Sequence, residues 1–200
     1  LEIQIQRLKE HGVSEVFLAT NYKSEYIASF FGDGSRHGVK LHISKEDKPL
    51  GTCGPLTLVK QYLTEPFVVM NGDLLSLIDF TKLRDAAAKS DANFTVVTKE
   101  MILPFQFGNV VSEGDYITHV EEKPDLKLEI VAGIYMMKPA VFEKIPEGTR
   151  FGMDDLIRKL IADREPVGRY LTKEYWLDVG RVEDYSLVEE AYQEHFSSRS

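Results

Sequence analysis

Hydrophobic positions follow two rhythms in the first half of the chain. Leu1, Ile5 and Leu8, with Ile3 alongside, recur at helical spacing and stop at Gly12. Val16-Phe17-Leu18-Ala19-Thr20 is then a short continuous apolar run, as a buried parallel strand requires. A second helix follows, with Ser24 as its N-cap, Tyr26, Ile27, Phe30 and Phe31 as its inner face, and Gly32-Asp33-Gly34 as its stop. Val39, Leu41 and Ile43 alternate with Lys40, His42 and Ser44, the period of a half-buried strand. Gly51 to Gly54 introduces a helix carrying Leu56, Leu58, Val59 and Tyr62, and Pro66 turns the chain into the apolar strand Phe67–Met70. A helix with Phe80, Leu83, Ala86 and Ala87 leads to a strand at Phe94–Thr98. This alternation predicts an α/β fold with a doubly wound, mostly parallel, Rossmann-like sheet.

From residue 105 the texture changes. Gly108–Val111 and Ile117–Val120 read as a small antiparallel hairpin turning at Ser112-Glu113-Gly114-Asp115. Ile130 to Met137 is a further apolar strand, Pro139 opens a short helix, and Met153 to Ile161 forms another. Glu183 to Phe196 reads as a terminal amphipathic helix with Glu183 and Asp184 in its first turn. No repeat or linker divides the chain, so residues 1–200 are expected to be one domain. The chain opens without Met and inside a helical pattern, which predicts a segment upstream of Leu1.

Composition narrows the class. A net charge of −8 argues against a nucleic-acid backbone as partner, since such binding draws on clustered Lys and Arg. It leaves small phosphate ligands open, because they need only a local cation, backbone N–H groups or a metal. Cys53 is the single cysteine, so no intramolecular disulfide forms. With no basic-then-apolar leader and no apolar run of membrane length, a cytoplasmic protein is expected.

Four places put polar groups where α/β folds keep ligands, past the carboxyl ends of strands. Asn71-Gly72-Asp73 follows the strand Phe67–Met70; it reads as a turn or helix cap, or as a carboxylate aimed over the sheet edge. Trp176-Leu177-Asp178-Val179-Gly180 sets a second acid among apolar groups. Two carboxylates meeting at one edge suffice to hold Mg²⁺ together with substrate phosphate oxygens. Glu121-Glu122-Lys123-Pro124 is an ordinary charge run, or one in which Pro124 holds Lys123 extended and its ammonium free for a phosphate. Lys48-Pro49-Leu50-Gly51-Thr52-Cys53-Gly54-Pro55 is a plain turn, or a loop whose glycines let backbone approach a flat ring.

The order of these motifs carries more than any one of them. Pro49-Leu50-Gly51-Thr52, Asn71-Gly72-Asp73, Glu122-Lys123-Pro124, Ala132-Gly133-Ile134-Tyr135 and Trp176-Leu177-Asp178-Val179-Gly180, in that sequence, closely resemble the sugar-1-phosphate nucleotidyltransferases over nearly the whole chain. The likeness is strongest to the branches like mannose-1-phosphate guanylyltransferase and glucose-1-phosphate thymidylyltransferase. The resemblance implies Asp73 and Asp178 as Mg²⁺ ligands, Lys123 on the sugar phosphate and Glu122 on sugar hydroxyls. It also implies Gly51 against the base, Glu46 on the base edge, Gly72 beside the metal acid and Gly133 under the sugar. The implied reaction moves a nucleoside monophosphate from a triphosphate to a sugar-1-phosphate and releases pyrophosphate. A carboxylate at Glu46 would accept from the N1–H and amino group of guanine, so GTP is favoured.

Two departures stand out. The family's opening Gly-rich triphosphate loop is absent, and with it a strand that would lie between Val16–Thr20 and Phe67–Met70; the chain alone is therefore expected to turn over little or nothing. Val131 stands where many relatives place an Asn, which leaves the sugar open. Two other classes compete: a non-catalytic nucleotide-sugar-binding domain, and a glycosyltransferase, against which the lack of Asp-x-Asp speaks; a homo-oligomer is left open under every reading. His11, His37, His42, His119 and His195 have no metal-ligand spacing, and Cys53, Tyr170, Tyr175 and Trp176 are expected to pack rather than react. Asp154 and Asp155 read as first-turn helix acids.

Overall fold

The computed structural model describes residues 1–21, 23–180 and 185–197. Its helices are α1 (Glu2–Glu10), α2 (Ser24–Phe31), α3 (Phe80–Ala88), α4 (Met153–Ala162) and α5 (Tyr185–His195). Its strands are β1 (Glu15–Thr20), β2 (Lys40–Lys45), β3 (Phe67–Met70), β4 (Leu74–Ser76), β5 (Phe94–Pro104), β6 (Asn109–Glu113), β7 (Tyr116–Glu121), β8 (Asp125–Met137), β9 (Val167–Thr172) and β10 (Trp176–Asp178). Glu183 and Asp184 lie outside the described residues.

The α/β architecture is the one expected. The central sheet has the order β3-β8-β5-β9: β5 and β9 run parallel, while β8 runs against both β3 and β5. Three of the four strands therefore share one direction. Strands β1 and β2 form a separate parallel pair, and β6 with β7 forms the antiparallel hairpin. Among the described residues β1 pairs only with β2 and β3 only with β8, so each keeps a free edge.

Strand alternation explains why helices cover both faces of the sheet. Ala132, Ile134 and Met136 of β8 and Val97 of β5 pack with Leu83 and Ala87 of α3. Tyr135 and Met137, with Phe94 and Val96, face Met153, Leu156 and Leu160 of α4 instead. Neighbouring residues on one strand thus enter two different cores. A third cluster, of Ile5, Phe31, Val39 and Leu41, joins α1 and α2 to the β1–β2 pair.

Three local expectations change. Ile27 and Phe31 face the core at helical spacing, but Tyr26 and Phe30, each one position earlier, fall on the solvent side of α2. That helix also starts behind Lys23 in the left-handed region, without the side-chain cap expected of Ser24. The segment after Gly54 makes a 3-10 turn, Gly54–Leu58, not a helix reaching Tyr62; Pro55 and the β-branched Thr57 and Val59 give a short element little reason to lengthen. Strands β5 and β8 both run beyond their predicted limits, into a two-stranded arm tipped by β6–β7. Strands β4, β9 and β10 were not predicted. No helix among the described residues is long and apolar enough to cross a membrane.

Candidate functional site

The backbone segments that carry the two predicted acids meet through a short antiparallel ladder. Strand β10 pairs with β4 so that Asp178 stands opposite Leu74, one residue from Asp73. The ladder is extended by Val179, whose N–H donates to the Asp73 carbonyl at 2.9 Å. Both carboxylates are exposed, and neither has a hydrogen-bond or ion-pair partner among the described residues. Asp73 occupies the turn before β4, outside the ladder, so the pleat does not set its side chain. Asp178 lies over Gly180, where an added Cβ would come within 3.1 Å of its Oδ1.

Beside the acids is a shallow pocket of about 100 Å³ lined by Asn71, Leu74, Gly133, Tyr135, Trp176 and Asp178, among others. It sits at the carboxyl end of β3, where α/β sheets place ligands. Asp73 is not in its lining. Trp176 is fixed by its indole N–H, which donates to the Ala132 carbonyl at 2.8 Å. Gly133 has φ +68, and a Cβ there would lie 2.8 Å from Asn71 Nδ2. The Asn71 N–H also donates to the Gly133 carbonyl, so these residues of two motifs form one piece of floor. At this size the pocket falls below the roughly 300–1,000 Å³ of ligand sites, so the described residues supply a floor and one wall rather than an enclosure. A larger, mostly apolar cavity of about 260 Å³ lies by Pro66, Ala87, Ala92 and Met137, at the other end of the strands, and holds none of the predicted residues.

The loop at Gly51 has a role the sequence reading did not foresee. Gly51 has φ +82, and a Cβ on it would meet the Phe151 carbonyl oxygen at 2.7 Å. Leu50 accepts the Phe151 N–H, the Phe151 carbonyl accepts from Cys53 and Gly54, and Thr52 Oγ1 accepts the Met153 N–H at the start of α4. The bare face of Gly51 is therefore pressed against protein backbone. Glu46 is engaged as well: its Oε2 accepts the Leu50 N–H at 2.7 Å, which leaves one carboxylate oxygen uncommitted within the described structure. Gly72 avoids the left-handed region, and a Cβ there would make only an ordinary 3.6 Å contact with Leu1. The sharp turn before Asp73 thus does not demand glycine.

Glu122 and Lys123 lie elsewhere. They fall between β7 and β8, at the base of the hairpin that tips the arm, and both are exposed. From Gly133 to Asp125 the strand β8 runs without a break, a span of about 26 Å at about 3.3 Å per residue. Among the described residues no hydrogen bond or ion pair joins Lys123 to Asp178. Nor is Lys123 extended: its φ is 49, in the left-handed region, contrary to the effect expected of Pro124. Pro124 is buried and its carbonyl accepts the Phe105 N–H at 3.0 Å, so the kink between β7 and β8 falls on the residue before it.

Sequence reading also missed α1 as part of the site. Gln4 is buried, and its amide donates to the carbonyls of Asn71 and Leu74 at 3.1 and 2.7 Å. Arg7 reaches the Ile78 carbonyl at 3.3 Å, and His11 Nδ1 lies 3.0 Å from Thr81 Oγ1. Polar residues at positions 4, 7 and 11 share one helical face, a signal that attention to Leu1, Ile5 and Leu8 obscured. Cys53 is wholly buried, which pushes its thiol up to about 12 and leaves it a packing group.

The model of the family described as nucleotidyl transferase matches residues 1–195. The chain belongs to that family. Among its relatives is a probable mannose-1-phosphate guanylyltransferase 1 of Oryza sativa subsp. japonica, 34% identical over 91% of this chain and 53% of the relative. Another is the UTP–glucose-1-phosphate uridylyltransferase of a Synechocystis strain, 30% identical over 92% of this chain and 53% of the relative. This nucleotidyl transferase chain thus spans about half the length of these curated relatives. Its fold matches that of HddC from Yersinia pseudotuberculosis, solved in complex with GMP-PN, with a TM-score of 0.70 at 22% identity, covering 96% of this chain and 84% of that one.

Proposed function

We propose that this chain is the body of a Mg²⁺-dependent sugar-1-phosphate nucleotidyltransferase, with GTP as the favoured triphosphate. The observation that carries the reading is the meeting of Asp73 and Asp178 through the β4–β10 ladder beside the Asn71–Gly133 floor. The donor types suit a hard cation: two exposed acids carried on neighbouring backbone at the end of the β4–β10 ladder, without partners among the described residues. Bound there, Mg²⁺ would neutralise charge on the reacting phosphates. The chain's own part is to position. An oxygen of the sugar-1-phosphate forms a bond to the α-phosphorus of the triphosphate, and the bond from that phosphorus to the bridging oxygen breaks, pyrophosphate leaving with the electron pair. Asn71 and Gly133 supply the floor for the sugar. The bare Gly72 keeps side-chain bulk away from phosphate beside Asp73.

Lys123 and Glu122 enter this reading through the family resemblance alone. Their contact with sugar phosphate and hydroxyls requires the arm to carry them over the pocket. The guanine preference rests on the uncommitted oxygen of Glu46 and on the guanylyltransferase relatives. A non-catalytic nucleotide-sugar-binding domain is the competing reading.

The test is pyrophosphate release by the full-length protein that contains this chain, with GTP, UTP and dTTP each paired with mannose-1-phosphate and glucose-1-phosphate. Asp73→Asn and Asp178→Asn should each lower kcat/KM by about a hundredfold or more, as the loss of a charge-stabilising contact does, with a melting temperature near that of the parent. Turnover unchanged in both variants overturns the assignment, and equal turnover of UTP overturns the guanine preference.

A further inference from the structure

We infer that Gln4 is a positioning residue for the Asp73 carboxylate, acting through the backbone of the turn that carries it. The inference rests on the function proposed above. Three carbonyls of the turn that carries Asp73 have partners: those of Asn71 and Leu74 accept from one Gln4 amide, and that of Asp73 accepts from Val179. A single buried nitrogen thus ties together the two ends of the turn. Its anchor is rigid, because Ile5, the next residue of α1, is 1% exposed and packs with Phe31, Val39 and Leu41. Arg7, one turn further along the same face, bonds to the Ile78 carbonyl and stops α1 from sliding along the segment after β4.

The geometry divides the work between two chain-distant elements. Strand β10 holds Asp178 and the Asp73 carbonyl, while α1 sets the curvature of the residues on either side of Asp73. Removing the Gln4 donors leaves two inward-facing carbonyls to seek other partners, and the turn must open to find them. Groups that orient a metal ligand commonly alter metal affinity tenfold to a hundredfold when removed.

The test compares Gln4→Met, which keeps volume and removes the donors, with Ile5→Val, which loosens the same helix and touches neither carbonyl. Two readouts are taken on the protein: Mn²⁺ affinity by electron paramagnetic resonance, and metal-free hydrogen exchange of the Asn71 and Val179 amides. Gln4→Met should weaken Mn²⁺ binding about tenfold and speed both amides. Ile5→Val, at a similar loss of melting temperature, should leave Mn²⁺ affinity within about twofold, well inside that tenfold effect. Asp178→Asn serves as the metal control and should abolish binding. If Gln4→Met binds Mn²⁺ as the parent does while Asp178→Asn does not, the positioning role is overturned. If Asp178→Asn also binds as the parent does, the cation reading fails by itself; faster exchange in Gln4→Met then upholds the clamp on the turn, and unchanged exchange removes it.

Discussion

Strands β5 and β8 pair on both sides of a register shift between Val96 and Thr98, and the two halves of this ladder live in different surroundings. Phe94–Val97 and Ala132–Met137 are buried on both faces, against α3 on one side and α4 on the other. Beyond Thr98 no residue of the ladder joins a core cluster with a helix among the described residues. Pairing puts Met101 opposite Leu128 and Leu103 opposite Leu126, so one face of the arm is apolar. The other face carries Glu100, Lys127 and Glu129. A two-stranded ribbon without a covered face is marginally stable alone, so the arm depends on its attachment to the sheet. The comparison shows where precision resides. Asp73, Asp178 and Gly133 belong to the covered half and its neighbours, whereas Glu122 and Lys123 ride on the uncovered half. Part of the proposed site is rigid, and part depends on the placement of an arm.

Breaking the covered half should have the largest effect. Phe94→Ala removes a fully buried ring and should cost about 3–5 kcal/mol, while Leu128→Ala, 44% exposed on the arm, should cost under about 1 kcal/mol. Urea titration of both variants decides this, and equal losses would mean that the arm is as well packed as the core. Hydrogen exchange sharpens the contrast without mutation. Amides of 99–103 and 125–130 should open with free energies at least about 2 kcal/mol below those of 94–97 and 134–137, as expected of a locally unfolding unit; uniform protection would show one cooperative ladder.

The smallest effect lies at the junction of the halves. Arg169 of β9 donates two hydrogen bonds to Glu129 and holds its carboxyl down at about 2, below the ordinary 4.5. A depressed carboxyl stabilises the folded state above the unfolded pKa, and that contribution is lost as pH falls through the folded pKa. Glu129→Gln should therefore be slightly less stable than the parent at pH 6, with the gap closing between about pH 4.5 and 2. The pair is exposed, so the gap is small. A difference that grows on acidification would contradict the assigned pairing.

Local pattern in the sequence was enough for most of the elements and for the α/β class, because apolar period reports which faces a segment must hide. Strand β3 lies where the run Phe67–Met70 placed it, and α4 follows the stripe Met153, Leu156, Leu160 to within a residue. The order of the motifs was also enough to point to the family. Strands β4 and β10 escaped because each is three residues long, too short for a period to register. Yet it is their pairing that sets Asp178 next to Asp73, across more than half the chain. Gln4 escaped for a related reason: a polar residue in a helix reads as solvated until its buried partners are known.

What the chain alone determined was chemistry and local shape: which residues are acids, where seven of the ten strands lie, and which motifs come in what order. Tertiary structure decided which of those residues are neighbours. It joined Asn71 to Gly133 and Asp73 to Val179, pressed Gly51 against Phe151, and left Lys123 on an arm. The reason is physical. Periodicity records burial, a property of each segment, whereas the meeting of distant side chains depends on pairing and packing, which no segment carries by itself.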